Sequence, residues 1–118
     1  MMTEQGHELN PPVGDCPEWC EKPRGHDWED LWLNGVIRYH TWRRQFTAEC
    51  QPGCIHEHAI GVDEIEQHTP TGTVRQRRVV LDVESPTDLD VPTAQRAVEI
   101  LQEAIALAAD GLPDGQVN

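Results

Sequence analysis

The chain is short of large hydrophobic side chains and of bases. Its 118 residues include one Phe, one Tyr and one lysine, Lys22, and only 37% of them are hydrophobic. No apolar run reaches the roughly 18 residues that a membrane-spanning helix needs. The start Met1-Met2-Thr3-Glu4-Gln5 is acidic and lacks the basic head and apolar centre of a signal peptide. These absences point to a cytoplasmic protein without a membrane partner. Nine bases stand against 21 acids, for a net charge of −12. Phosphate contacts dominate nucleic-acid affinity, so a chain this acidic is a poor nucleic-acid binder. A neutral or basic protein partner fits better.

Recognisable catalytic signatures are absent as well. There is no P-loop, no Rossmann glycine pattern and no G-x-S-x-G. The histidines of His56-Glu57-His58 are two apart, which on a strand puts them on one face and does not reproduce the helical H-E-x-x-H of zinc proteases. The H-x-E with a later P-C-x-x-C of nucleic-acid deaminases is missing too. No small-molecule substrate is expected. A metal-dependent hydrolase using His56 and His58, with Glu57 as the local base, is one alternative reading. An acidic nucleic-acid mimic that inhibits a host factor is another.

The charge is unevenly placed. Residues 1–34 hold eight acids and two bases, residues 35–80 five and six, and residues 81–118 eight and one. Residues 1–15, with Gly6, Pro11, Pro12 and Gly14, read as a disordered tail, and residues 111–118 as a second one. Between them, residues 16–110 form one small domain. Residues 16–34 mix cysteine, tryptophan, proline and acids without a period, which suits a loop organised by an ion; residues 27–33 read as one helical turn. Residues 36–47, 54–67 and 73–84 alternate and are rich in β-branched side chains, so they read as three strands joined by the turns Gln51-Pro52-Gly53 and Thr69-Pro70-Thr71-Gly72. Asp90 or Val91 caps a helix with Pro92 in its first turn, ending before Asp110, with Gly111 as its left-handed cap. Ala94, Ala97, Val98, Leu101, Ala104, Ile105 and Ala108 make its apolar stripe, and Ile100 and Leu107 lie off the stripe's centre. The fold class is therefore α+β: a metal-organised N-terminal loop, a three-stranded antiparallel sheet and one C-terminal helix packed on it.

Ordering a backbone costs about 1–2 kcal/mol per residue, and a core this thin needs help from a disulfide or a metal. In a reducing cytosol, paired cysteines are more often metal ligands than disulfides. Cys16-Pro17-Glu18-Trp19-Cys20 has the spacing of a zinc half-site, and a closed structural site needs four ligands. Three arrangements are chemically sound. Cys16 and Cys20 can join His26 and His40, or Cys50 and Cys54. Alternatively Cys50, Cys54, His56 and His58 form a second, separate site, since alternation places Cys54, His56 and His58 on one strand face. A Cys50–Cys54 disulfide across the hairpin neck competes with that last arrangement. Trp19, Trp28, Trp32 and Trp42 cluster around the loop and read as its cover. The runs Arg43-Arg44 and Arg75-Gln76-Arg77-Arg78 read as partners for acids on neighbouring strands.

The CPxWC turn followed by His26 and His40, three strands and a last helix opening with proline resembles an uncharacterised family of small actinobacterial and actinophage proteins. The resemblance covers about residues 16–110. Its helix normally opens T-P-x-x-A-R, where this chain has Val91-Pro92-Thr93-Ala94-Gln95-Arg96. The resemblance implies a metal-type cluster of Cys16, Cys20, His26 and His40 and brings no established activity with it; Cys50 to His58 lies outside its pattern. Together these readings give a non-catalytic zinc-binding adaptor or regulator that binds a protein partner.

Overall fold

The computed structural model describes residues 11–32, 35–84 and 88–110, apart from the side chains of residues 32, 50 and 51. Four strands, β1 (Asp30–Trp32), β2 (Gly35–Gln51), β3 (Cys54–Thr69) and β4 (Gly72–Asp82), form one antiparallel meander in the order β1-β2-β3-β4, followed by helix α1 (Val91–Ala109). No helix among the described residues is long and apolar enough to cross a membrane. The expected tail at residues 1–10 and 111–118, including Gly111, lies outside the described residues. Contacts begin earlier than Cys16, because Trp28 Nε1–H donates to the Pro11 carbonyl and an Arg38 N–H to that of Gly14.

The expected three strands are present, but the sheet has four. Residues 30–32 do not form the expected helical turn; they pair Asp30 with Ile37, Leu31 with Val36 and Trp32 with Gly35. The edge of β2 leaves backbone donors and acceptors open, and this short strand takes them. Further along the same edge, the Glu21 N–H donates to the Thr41 carbonyl and the Glu29 N–H to that of Ile37. Glu29 and Glu21 carboxylates in turn accept from the N–H groups of Tyr39 and Arg43. The N-terminal loop thus runs along β2 and partly replaces a strand.

β2 and β3 are long, 17 and 16 residues, against the usual 3–10. Their tight turn at Pro52-Gly53 is made possible by Gly53 at φ 81°, a region that costs an L side chain strain. Because side chains alternate, the register writes rows across one sheet face. Trp42, Val62 and Val79 make an apolar row, His40, Glu64 and Arg77 the next, and Arg38, Glu66 and Arg75 the one after.

Helix α1 covers the apolar part of this face. Asp90 caps it, its carboxylate accepting the Thr93 N–H at 2.9 Å, and Pro92 sits in the first turn, where a missing N–H is harmless. Ile100, Ala104 and Ala108 are buried against Trp42, Phe46, Ile60 and Val62, with Ala97, Leu101 and Leu107 at the margin. The helix is therefore rotated from the expected stripe. Ile100 is at its centre, 1% exposed, while Val98 and Ile105 are each 52% exposed. The small Ala104 and Ala108 let the helix approach Trp42 closely, and that contact, absent from the helix's own periodicity, sets the rotation.

Candidate metal centre

Cys16 and Cys20 flank a turn closed by the Cys20 N–H on the Pro17 carbonyl at 3.0 Å. The Arg24 guanidinium clamps the same turn, donating to the carbonyls of Cys16, Pro17 and Glu18 at 3.0, 2.6 and 2.8 Å. A second reversal, with Gly25 at φ 73° and the His26 N–H on the Pro23 carbonyl, returns the chain so that His26 faces Cys20. His40 comes from β2, on the inward face. One ligand atom from each of Cys16, Cys20, His26 and His40 lies within 4.8 Å of all the others. Cys16 and Cys20 are reduced thiols. Metal bonds of about 2.0–2.3 Å hold tetrahedral ligands about 3.3–3.8 Å apart, so a contraction of about 1 Å at the widest pair closes these four on one ion.

Hydrogen bonding fixes which atoms are available. A carboxylate only accepts, so the His40 Nε2 that lies 2.8 Å from Glu66 Oε1 carries the proton. His40 Nδ1, buried and without a hydrogen-bond partner, then holds the lone pair for a metal. His26 Nε2 stands 3.7 Å from Cys20 Sγ, and its Nδ1, 3.4 Å from Glu29 Oε1, faces that carboxylate. The His40 imidazole thus has a hydrogen-bonded carboxylate behind it, the arrangement that orients metal-bound histidines, whereas His26 Nδ1 is buried without a hydrogen-bond partner. Burial, then Arg38 and His40, and to a smaller degree Lys22, hold the His26 pKa below its ordinary value against the pull of Glu29. This shift favours the neutral ring, the form a metal ligand takes.

The support extends inward. Glu66 is 1% exposed and is held by His40, by Arg38 Nε at 3.0 Å and by Arg75 at 3.2 Å. Burial pushes its carboxyl upward, but His40, Arg75 and Arg38 outweigh it and the pKa falls below its ordinary value. Arg38 Nη1 reaches back to the His26 carbonyl at 2.7 Å. Glu64, fully buried, accepts from Arg75 and Arg77 at 2.6 and 2.7 Å. Arg77 also donates to the carbonyls of Leu107 and Asp110, where a cation suits the negative end of the helix, and its guanidinium lies 5.4 Å from the Trp19 ring. Arg75 and Arg77 of β4 thus pair with acids on β3, as does Arg43 with Asp63; Arg44 pairs with Glu21 of the N-terminal loop, and Arg78 reaches only the Gln76 side chain.

Of the three arrangements, the structure assembles the one with His26 and His40. Cys54 belongs to the far end of the hairpin, with its Sγ 3.3 Å from His56 Nε2. His58 is buried against Phe46, and the Cys50 side chain lies outside the described residues. Glu57, named as a base, is exposed, because alternation puts it on the opposite face from His56 and His58. Among the tryptophans, Trp42 is in the core and Trp19 packs on its margin, while Trp28 lies near Arg38 and His68; the Trp32 side chain is outside the described residues. Sequence reasoning missed Arg38, Glu64 and Glu66. Their signal was available, since Glu64 and Glu66 continue the inward alternation of Ile60 and Val62. Comparison of the chain with protein-family models, curated proteins and solved structures finds no match, so the site stands on its geometry.

Proposed function

We propose that this chain is a non-catalytic protein fastened by a structural zinc ion and acting as an adaptor or regulator through a surface for a protein partner. The observation that carries the zinc reading is the set of two thiols and two imidazoles with ligand atoms within 4.8 Å of one another, the His40 imidazole held by the Glu66 carboxylate. Two sulfurs and two nitrogens around a tetrahedral centre suit Zn²⁺ better than the oxygen-seeking Mg²⁺ or Ca²⁺. Four protein ligands leave no position for a reacting water.

The partner surface is the outward side of α1. Val91, Val98 and Ile105 recur there at seven-residue spacing and are each more than half exposed; Leu89, Ala94 and Gln95 join Val91 and Val98 around a shallow apolar groove. Helical spacing puts Glu99 and Glu103 along one flank, with Glu99 also facing Arg96 at 3.7 Å. An apolar strip with an acidic border fits a basic, partly apolar protein segment.

Two measurements test the proposal. Metal analysis and X-ray absorption on the purified chain should give one zinc with two sulfur and two nitrogen neighbours; a site with a water oxygen in place of one protein ligand overturns the structural reading. A Val98→Asp/Ile105→Asp variant should keep its zinc and melting temperature but lose a salt-sensitive partner that copurifies with the wild type. Unchanged association in the variant overturns the surface.

A further inference from the structure

The two edges of the sheet are finished differently. β1 and the N-terminal loop take up the outer edge of β2, whereas the outer edge of β4 has no backbone partner among the described residues. Edge strands are normally blunted by shortness, proline, a bulge or a cover. β4 shows none of these among the described residues: it runs 11 residues, from Gly72 to Asp82, contains no proline and pairs with β3 without a register shift. Its inward arginines do not guard the edge either, because Glu64 and Glu66 draw Arg75 and Arg77 over β3.

Two charges on the outward face of β4 are left over. Arg78 stands opposite Asp63, but that carboxylate is already engaged by Arg43 and the Thr41 hydroxyl, so Arg78 meets only the Gln76 side chain at 3.5 Å. Asp82 stands opposite Ala59 and has no cation among the described residues. Alternation puts Arg78, Val80 and Asp82 on one face. On the other face, beside the core, Leu81 is 60% exposed.

We propose that β4 is a self-association edge, pairing antiparallel with β4 of a second copy about a two-fold axis through Val80 and joining two four-stranded sheets into one. Charge selects both the occupant and the register. Registers centred on Gln76, Arg77 or Arg78 set arginine against arginine, and one centred on Val79 sets Arg78 against Val80. Centring on Val80 sets each Arg78 against Asp82 of the other copy, twice by symmetry, with Val80 against itself and Val79 against Leu81. Opposite charges and aliphatic side chains directly across from each other stabilise an antiparallel pair, and like charges destabilise it. The net charge of −12 on each copy opposes contact, but physiological salt screens it beyond about 8 Å, while the two ion pairs touch. The axis stands perpendicular to the sheet, so both copies of α1 lie on one face with their outward sides free.

The test is sedimentation equilibrium of the reduced full chain at about 0.15 M salt. The wild type should show a monomer–dimer equilibrium. Arg78→Asp and Asp82→Arg should each raise the dimer dissociation constant at least about tenfold, since each replaces two opposite-charge pairs with two like-charge pairs. An equimolar mixture of the two variants should associate as the wild type does, because both cross-copy pairs are then again of opposite sign. The double variant Arg78→Asp/Asp82→Arg should do so alone. All variants should keep the wild-type far-ultraviolet spectrum. A wild type that stays monomeric at about 1 mM, a dimer unmoved by either single substitution, or a mixture no stronger than its components overturns the proposal. So does a dimer lost in Val98→Asp/Ile105→Asp and kept in Arg78→Asp, which would place self-association on α1. Failure of the zinc reading at Cys16 and Cys20 leaves this outcome unaffected.

Discussion

Replacing Glu66 with glutamine separates two roles that the structure assigns to one carboxylate. Glu66 is the anion for the buried Arg38 and the partly exposed Arg75, and it is also the acceptor from His40. Glutamine keeps the shape and loses the charge. The ion-pair role is present with or without metal, and losing hydrogen bonds to charged groups costs about 1.5–3 kcal/mol in either state. The orienting role matters only when an ion is bound, and loss of such a partner weakens metal affinity about 10- to 100-fold. At about 1.4 kcal/mol per factor of ten, that is a further ~1.4–2.8 kcal/mol present only in the zinc-loaded protein. Urea unfolding of wild type and Glu66→Gln, each with saturating zinc and with chelator, measures both terms. Competition with a chromophoric chelator measures the affinity directly. If the variant loses the same stability with and without zinc, and its zinc affinity is unchanged, the charge of Glu66 does not act on the ion through His40.

Cys20→Ser should abolish stoichiometric zinc, and the variant should melt at the temperature of the chelated wild type, as differential scanning calorimetry can show. Ile100→Ala should cost about 2–5 kcal/mol, whereas Ile105→Ala should fall within about 0.5 kcal/mol; equal losses in denaturant titrations would mean that α1 is rotated otherwise. Asp90 is held below its ordinary pKa by its hydrogen bonds to the Thr93 side chain and backbone N–H. A depressed carboxylate adds stability above its unfolded pKa and loses it as pH falls through the folded one. The melting-temperature advantage of wild type over Asp90→Ala should therefore be full near neutrality and shrink in acid. In Asp90→Asn, which caps without ionising, the corresponding acid-dependent part should be missing.

Strands β2 to β4 were legible because alternation and turn residues are local properties, and the helix ends were legible because Asp90 and Pro92 act within one turn. β1 was not, since Asp30, Leu31 and Trp32 have no strand signal of their own and are extended only because the edge of β2 is there to pair with. The rotation of α1 was hidden for a similar reason. Both sides of the helix are apolar, at Ile100-Ala104-Ala108 and at Val91-Val98-Ile105, and only the shape of Trp42 and Phe46 decides between them. At the metal centre, the four ligands could be named from residue type and spacing. Choosing among three ligand sets needed the path of the loop along β2, which no spacing encodes. Glu66 escaped because a glutamate in a strand reads as solvated until two arginines and a histidine N–H are found around it.

The residue order of the centre also dictates its history. Cys16, Cys20, His26 and His40 all leave the ribosome before Glu66, and Arg75 and Arg77 later still. An ion taken up by the nascent chain would meet four ligands with one imidazole not yet oriented. Its grip would tighten when Glu66 arrives beside His40, and the turn carrying Trp19 would gain its contact with Arg77 at about the time the last helix offers its carbonyls to the same guanidinium. If an ion is bound, its capture and the closure of the fold would be separate events in time, linked by Glu64, Glu66, Arg75 and Arg77.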